Sequence, residues 1–276
     1  MIVDYHMHLR GPSENGREGP IEHTADAAEQ FVETARSRGV DEIGFTEHVY
    51  YFRQTREIWE LPYQTERCVY DLDAYCDAVL EAKRGGLPVK LGLEVDYAGE
   101  RQQRLAELLT GYPWDFLLGS VHWINGLAVD QEPGLWGVHS VEEIWRRYFV
   151  WIRDLARSRL VDVLAHPDLV KIYGRRPDAE TVGVHYEETV DAIEAAGMAI
   201  EVSTAGLRRP VGEIYPAPDF LGRCRDRGVP ATIASDAHHP GDVGRDFDQA
   251  LALLREAGYE TITVFDGRQA RQELLG

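Results

Sequence analysis

Six short apolar runs, spread from one end of the chain to the other, each finish on residues that bind metal ions. The first is Met-Ile-Val-Asp-Tyr-His6-Met-His8. The others are Ile43-Gly-Phe-Thr-Glu47-His48, Leu91-Gly-Leu-Glu94-Val-Asp96, Phe116-Leu-Leu-Gly-Ser120-Val-His122, Val161-Asp-Val-Leu-Ala-His166-Pro-Asp168 and Thr232-Ile-Ala-Ser235-Asp236-Ala-His238. Strand side chains alternate with period two, so His6 and His8 aim at one face. Neutral imidazole is the commonest protein metal ligand. A lone H-x-H is more often a pair of structural histidines, but six strand ends that share chemistry and position need a common cause. A multinuclear metal centre supplies one.

Between these runs lie segments of helical period: Ala25–Arg38, Asp71–Arg84, Glu100–Leu109, Val141–Arg157, Val182–Ala196, Asp219–Arg227 and Asp246–Glu256. Thr24 and Ser140 stand at N-cap positions, and Gly39, Gly85, Gly197, Gly228 and Gly258 follow helix ends, where a left-handed residue closes the last turn. Met198–Ser203 adds a further strand, which makes about seven parallel strands, with a short extra pairing at Thr261–Phe265. Strand–helix alternation of this kind predicts an α/β fold, here a distorted (β/α)7 barrel. An open doubly wound sheet is the competitor. Strand ends converge on one mouth in a barrel, whereas an open sheet spreads them in a row too wide for one site. The longest irregular stretches, Leu9–His23, Val49–Glu66 and Ala205–Pro218, are long enough to expect function in them.

The 276 residues suffice for one domain spanning 1–276, and no composition break divides them. No run approaches the roughly 18–20 apolar residues that span a bilayer. The N-terminus lacks the pattern of a secretory leader, so no membrane association or export is expected. Cys68, Cys76 and Cys224 are few and lack CxxC spacing, which fits reduced thiols in the cytoplasm rather than disulfides or a thiolate zinc site. A net charge of −18 disfavours nucleic acid, whose binding relies on basic patches. Local pairs such as Arg208-Arg209 and Arg175-Arg176 still suit one small anion. A compact phosphate monoester is therefore the expected partner.

Taken together, His6-Met-His8, Thr46-Glu-His48, Gly92-Leu-Glu94, Gly119-Ser-Val-His122, Ala165-His-Pro-Asp168 and Ser235-Asp-Ala-His238 resemble the motifs of the PHP (polymerase and histidinol phosphatase) superfamily. The segment from Glu201 to Pro216 (EVSTAGLRRPVGEIYP) looks like the one that marks its monofunctional histidinol-phosphate phosphatases. The resemblance covers essentially the whole chain. It implies a first metal held by His6, His8, Glu94 and Asp236, a second held by Glu94 as a bridge with His122 and His166, and a third held by His48 and His238. The third site takes a further His or Asp six positions after His8 in the family; here that residue is Glu14, a longer carboxylate on a Gly/Pro/Ser loop. Two to three divalent ions are thus expected, with zinc, manganese or iron all suited to this ligand set. Such ions generate hydroxide near neutral pH and neutralise ester oxygens during in-line attack.

The implied reaction is hydrolysis of L-histidinol phosphate in histidine biosynthesis. Alternatives are a broader PHP phosphoesterase for other small esters or nucleotides, and a non-catalytic PHP interaction module. Arg208 is the expected phosphate ligand, because guanidinium matches phosphate bidentately; the competing role is a solvated arginine. Lys171 is a second phosphate candidate, set against an ordinary surface lysine, and Glu213 is a charge-based guess for the substrate amine. Asp236, His238 and His48 are the candidate proton donors to the leaving alcohol. Glu47, Asp96 and Asp168 flank ligands and are candidates to orient them, set against ordinary surface acids for Glu47 and Asp96 and an Asx-type turn for Asp168. Structural or surface roles are expected for His23, His139, His185 and His239; for Trp123 and Tyr215 packing in the barrel wall is expected, set against stacking on an imidazole ring of the substrate. The oligomeric state is open.

Overall fold

The computed structural model describes residues 1–9, 23–132 and 134–276. Local signals set most element boundaries. The Thr24 hydroxyl accepts from Ala27 N–H and starts α1 (Ala25–Ser37). Gly39 follows its end at φ +72°, a backbone angle that costs a residue without Cβ nothing. In chain order come β1 (Val3–Asp4), α1, β2 (Glu42–Phe45), α2 (Pro62–Thr65), α3 (Leu72–Arg84), β3 (Val89–Leu91) and β4 (Glu94–Asp96). Then follow α4 (Gln102–Leu109), β5 (Leu118–Ser120), β6 (Trp123–Ile124), β7 (Leu127–Ala128), α5 (Val141–Ser158) and β8 (Val163–Leu164). The chain finishes with α6 (Ala179–Ala196), β9 (Ala199–Ser203), α7 (Pro218–Asp226), β10 (Ala231–Ala234), α8 (Phe247–Glu256), β11 (Thr261–Asp266) and β12 (Gln269–Leu274).

Parallel pairing runs β1–β2–β3 in one sheet and β4–β5–β8–β9–β10 in another. β3 and β4 are halves of one strand position, broken at Gly92-Leu93: the lower half pairs with β2 and the upper with β5. At one seam Tyr5 N–H donates to Ile233 O (3.2 Å) and His8 N–H to Ala237 O (2.8 Å). At the other, Glu94 N–H donates to Glu47 O (3.0 Å). Seven strand positions therefore run round a distorted (β/α)7 barrel, whose seams are carried by single bridges rather than continuous ladders.

Every predicted helix forms, with ends shifted by up to three residues. At the end of α3 the left-handed residue is Gly86 (φ +90°), not Gly85 (φ −70°), because Gly85 caps the helix with right-handed angles and the turn closes one residue later. Val49–Glu66, expected to be irregular, contains two 3₁₀ turns and α2. Thr261–Phe265 pairs with β12 in an antiparallel hairpin. The β6–β7 hairpin was not anticipated, although its turn is Asn125-Gly126, both at positive φ (50° and 84°), as a type I′ turn demands.

Tyr5, Phe116 and Phe265 pack together inside the barrel, with Tyr5 and Phe116 ring centroids 4.9 Å apart. Gly44 makes room for them: a Cβ there would lie 2.6 Å from Phe116 Cζ. Gly44→Val is therefore expected to cost about 1–3 kcal/mol by overpacking. Chemical denaturation of the purified variant checks this, and an unchanged midpoint would refute the crowding.

Candidate metal centre

The ligand-type residues follow strands or end them, so the barrel gathers them at one mouth. Glu94 begins β4 and stands at the middle of the group. Its two oxygens face different histidines. Oε2 lies 2.6 Å from His48 Nδ1, 3.4 Å from His6 Nε2 and 3.9 Å from His8 Nε2. Oε1 lies 3.2 Å from His166 Nε2 and 3.4 Å from His122 Nε2. Asp236 Oδ1 closes the first set, 3.4 Å from His8 Nε2 and 3.7 Å from His6 Nε2. His238 packs its ring 4.3 Å from that of His8, and His48 stacks on His8 at 4.5 Å. Every expected ligand within the described residues thus falls in one cluster; Glu14 lies outside the described residues.

These spacings fit metal binding. A tetrahedral ion with bonds of about 2.0–2.1 Å sets its ligands roughly 3.3 Å apart, and most of the nitrogen–oxygen distances above fall near that value. His6 Nε2 is buried without a hydrogen-bond partner among the described residues. Such orphaned atoms are costly in a protein interior unless something ligates them. Four groups of three, His6–His8–Asp236, His6–Glu94–His166, His8–His48–His238 and His48–Asp96–His122, bring their ligand atoms within 4.8 Å of one another. The residues present fit divalent metal ions.

Neighbouring carboxylates fix the imidazole tautomers. His6 Nδ1–H donates to Glu201 Oε2 (2.8 Å), which leaves its Nε2 lone pair to the centre. His122 Nδ1–H donates to Asp96 Oδ1 (2.8 Å) with the same effect. Glu201 Oε1 also accepts from the backbone N–H of His166 (3.1 Å). That bond braces a strained residue, since His166 has φ +25°, and Asp236 is likewise left-handed at φ +53°. Asp4 holds the Asp236 loop by accepting from Ser235 N–H (2.9 Å), Ser235 O–H (2.6 Å) and Gly244 N–H (2.8 Å).

Charge balance in the cluster is uneven. Burial pushes the His48 imidazolium down to about 3, so that ring is neutral. Burial also works against charge on His122, yet Asp96 and Glu94 outweigh it and raise His122 to about 10. Burial opposes ionised Asp236, but His6 and its neighbours hold the carboxyl well below its usual range. Protons thus do in part the work of cations here, and metal binding would release them.

Other expected residues fall elsewhere. Lys171 is a correction: it is fully buried and donates to Ile214 O (2.7 Å), with Asp168 at 3.0 Å and Glu213 at 3.5 Å. A buried ammonium needs such partners, and Asp168 at i−3 supplies one. Asp168 also accepts from Ala217 N–H (2.8 Å) and Tyr186 O–H (3.2 Å), so it anchors the 204–217 loop rather than a ligand. Glu213 is a second correction, being paired with Arg176 at 2.5 Å. Arg208 donates to Ser235 O (2.5 Å), beside Asp236, and it is Arg209 that lines the metal cavity. Glu47 lies 3.5 Å from His8 Nδ1 and 3.8 Å from His23 Nε2. His23 packs among Phe52, Tyr70 and Tyr75, and His185 stacks on Phe149. Tyr215 forms part of the cavity wall. Sequence reasoning missed Glu201, Asp4 and Asp130; the first two are acids inside otherwise apolar strands, a signal it left unused.

The PHP domain family pattern matches residues 20–205. A Deinococcus radiodurans protein called "Probable histidinol-phosphatase" is 30% identical over 87% of this chain and 91% of its own length. The Bacillus subtilis histidinol-phosphatase is 25% identical over 82% of this chain and 92% of its own. Among solved structures, the Lactococcus lactis histidinol phosphate phosphatase superposes with a TM-score of 0.74, at 21% identity and 98% coverage of both chains. Family pattern, whole-length relatives and fold agree: the chain belongs to the PHP domain family.

Proposed function

We propose that this protein hydrolyses L-histidinol phosphate to L-histidinol and phosphate, as a metal-dependent phosphomonoesterase of histidine biosynthesis. The observation that carries the reading is the division of the Glu94 carboxylate between two sets of histidines, beside a cavity that Arg209 also lines. The relatives' shared name and the Lactococcus lactis structure, complexed with zinc, L-histidinol and phosphate, support it.

In this reading His6, His8, Asp236 and Glu94 hold one ion, and Glu94, His122 and His166 hold another. His48 and His238, with Glu14, hold a third where one binds. Zinc is the first choice, and manganese or iron suits the same donors. Ions held there would supply polarisation of the ester oxygens and activation of water near neutral pH. The chain's own groups do the rest. Asp96 and Glu201 keep His122 and His6 turned inward, and Arg209 meets phosphate oxygens from the wall. Arg208 braces the Asp236 loop and adds positive charge beside it. Of Asp236, His48 and His238, His238 is the most exposed side chain, at 36%, and where no third ion is bound it is best placed to return a proton to the leaving alcohol.

We take residues 1–276 as one domain; the buried apolar side chains among the described residues form one cluster. No helix among the described residues is long and apolar enough to cross a membrane. Three buried, unpaired cysteines suit the reducing cytoplasm. The acidic balance argues against a nucleic-acid partner.

A phosphate-release screen on metal-loaded protein tests the activity. Histidinol phosphate should be strongly preferred over other monoesters, and a diester should stay intact; equal turnover of unrelated monoesters would overturn the substrate assignment. Arg209→Ala should lower kcat/KM on the order of 10²-fold while metal content holds. Arg208→Ala, assayed in parallel, should also weaken substrate use. Steady-state kinetics beside elemental analysis checks both, and an unaffected kcat/KM would remove that arginine from the site.

A further inference from the structure

Away from the metal mouth, buried polar atoms without a hydrogen-bond partner among the described residues gather in one other place, the seam between α5 and α6. They are Arg153 Nη1, Thr189 Oγ1 and both ring nitrogens of His185. Thr189 is fully buried and His185 is 9% exposed. Residues three or four apart share a helix face. Phe149, Arg153 and Arg157 therefore line up on α5, and His185 and Thr189 line up on α6, continued by Ala192 and Ala196. The two stripes meet in order. His185 stacks on Phe149 with ring centroids 5.4 Å apart, and Arg153 Nη1 lies 3.1 Å from Oε2 of Glu188, the residue before Thr189. Towards the helix ends Arg159 Nη2–H donates to Ala195 O (2.9 Å).

Small side chains open this seam. Ala192, Ala195 and Ala196 floor a groove of about 670 Å³, and Arg153, Arg157 and Arg159 wall it from the α5 side. The acids on it and beside it are engaged: Glu188 faces Arg153, Asp191 pairs with Arg227 (2.7 Å) and Asp154 with Arg157 (2.9 Å). Burial, with the charge of Arg153 nearby, holds the His185 imidazolium below its usual range, so the ring is neutral and has one N–H to give. A guanidinium, a hydroxyl and an imidazole N–H thus stand at the head of the groove, with the Glu188 carboxylate at its edge. Buried donors left unmet are costly, and a guanidinium selects oxyanions among the groups that could meet them.

We propose that the head of the α5–α6 groove is a second binding site, for the oxyanion group of a small phosphate or carboxylate compound, with Arg153, Thr189 and His185 donating to its oxygens. Arg157 and Arg159 lie along the groove and draw an anion towards it, against the chain's overall charge of −18. The site is built from the outer helices and shares no residue with the metal centre, so it stands whether or not the phosphatase reading does.

The test follows the His185 ring by NMR in metal-loaded protein, its signal identified by its loss in His185→Gln. Sulfate, inorganic phosphate and acetate are titrated in turn, with chloride at matched ionic strength to control for screening. At least one of the three oxyanions should move the signal to saturation, and chloride should not. Tighter binding of sulfate and phosphate assigns the site to phosphate compounds, and tighter binding of acetate to carboxylates. Arg153→Met should weaken the binding at least about tenfold, as loss of a charge-assisted bond allows, and Thr189→Val about fivefold. Thermal melting gives a second readout: the tighter-binding anion should raise the Tm of wild type more than that of either variant. A His185 signal that answers to none of the three, or answers equally in wild type and Arg153→Met, would overturn the site and leave only water in the seam.

Discussion

Glu94→Gln is expected to strip metal and stop turnover together. The carboxylate offers one oxygen to the His6–His8–His48 side and one to the His122–His166 side. An amide offers a single oxygen, and its NH2 group would point a donor at one of the two sets. It also removes the central negative charge that a pair of dications needs. Losing a metal clamp worth about 4 kcal/mol lowers kcat/KM on the order of 10³-fold. The fold should survive, since Glu94 is surrounded by rings rather than by strand hydrogen bonds to its side chain. Elemental analysis, kinetics and thermal melting on one preparation decide the matter. Chelator should lower the Tm of wild type and leave the variant nearly unmoved, because only wild type has bound metal to lose. Full turnover at normal metal content would take Glu94 out of the centre.

Glu201→Ala should unsettle both the fold and the site. Glu201 is fully buried in β9 and ties β1 to the end of β8 through His6 Nδ1 and His166 N–H. Removing it leaves two buried donors unmet and releases the brace on a left-handed His166. The expected loss is about 3–5 kcal/mol, the range for breaking a buried ionic pair. That corresponds to roughly a 10 °C drop in Tm for a chain of this size. Metal affinity should fall about 10–100-fold, because His6 is no longer held in the ligating tautomer. Glu201→Gln keeps an acceptor and should lie between. A Glu201→Ala protein with wild-type Tm and metal affinity would show that neither contact matters.

Much of the fold was legible because its signals are local. Thr24 and Ser140 cap their helices where the sequence placed them, and Gly39, Gly197, Gly228 and Gly258 take the left-handed turn. The ligand series was legible for a related reason: strand ends carry the chemistry, and a barrel must bring strand ends together. The β6–β7 hairpin is also written locally, in the Asn125-Gly126 turn between two short apolar pairs.

Lys171 and Glu213 illustrate the other kind of residue. In sequence they are a lysine and a glutamate on loops near ligand motifs, which suggests a substrate surface. Their charges are instead met inside the protein, by Asp168, Ile214 O and Arg176. Arg208 and Arg209 are adjacent and alike in composition, yet one donates to the Ser235 carbonyl and the other lines the cavity.

By itself, the sequence determined the strand–helix order, the helix boundaries to within a few residues, and the chemical kind of the centre, since each depends on neighbours within a turn or on residue type alone. The tertiary structure decided which oxygen of Glu94 faces which histidine, that Glu201 and Asp96 set the imidazole tautomers, and that Asp130 turns back beside His122. The Glu94, Glu201 and Asp96 outcomes depend on contacts between segments from 26 to 195 residues apart. Side-chain direction, burial and partner choice at such range are fixed only once the barrel has packed.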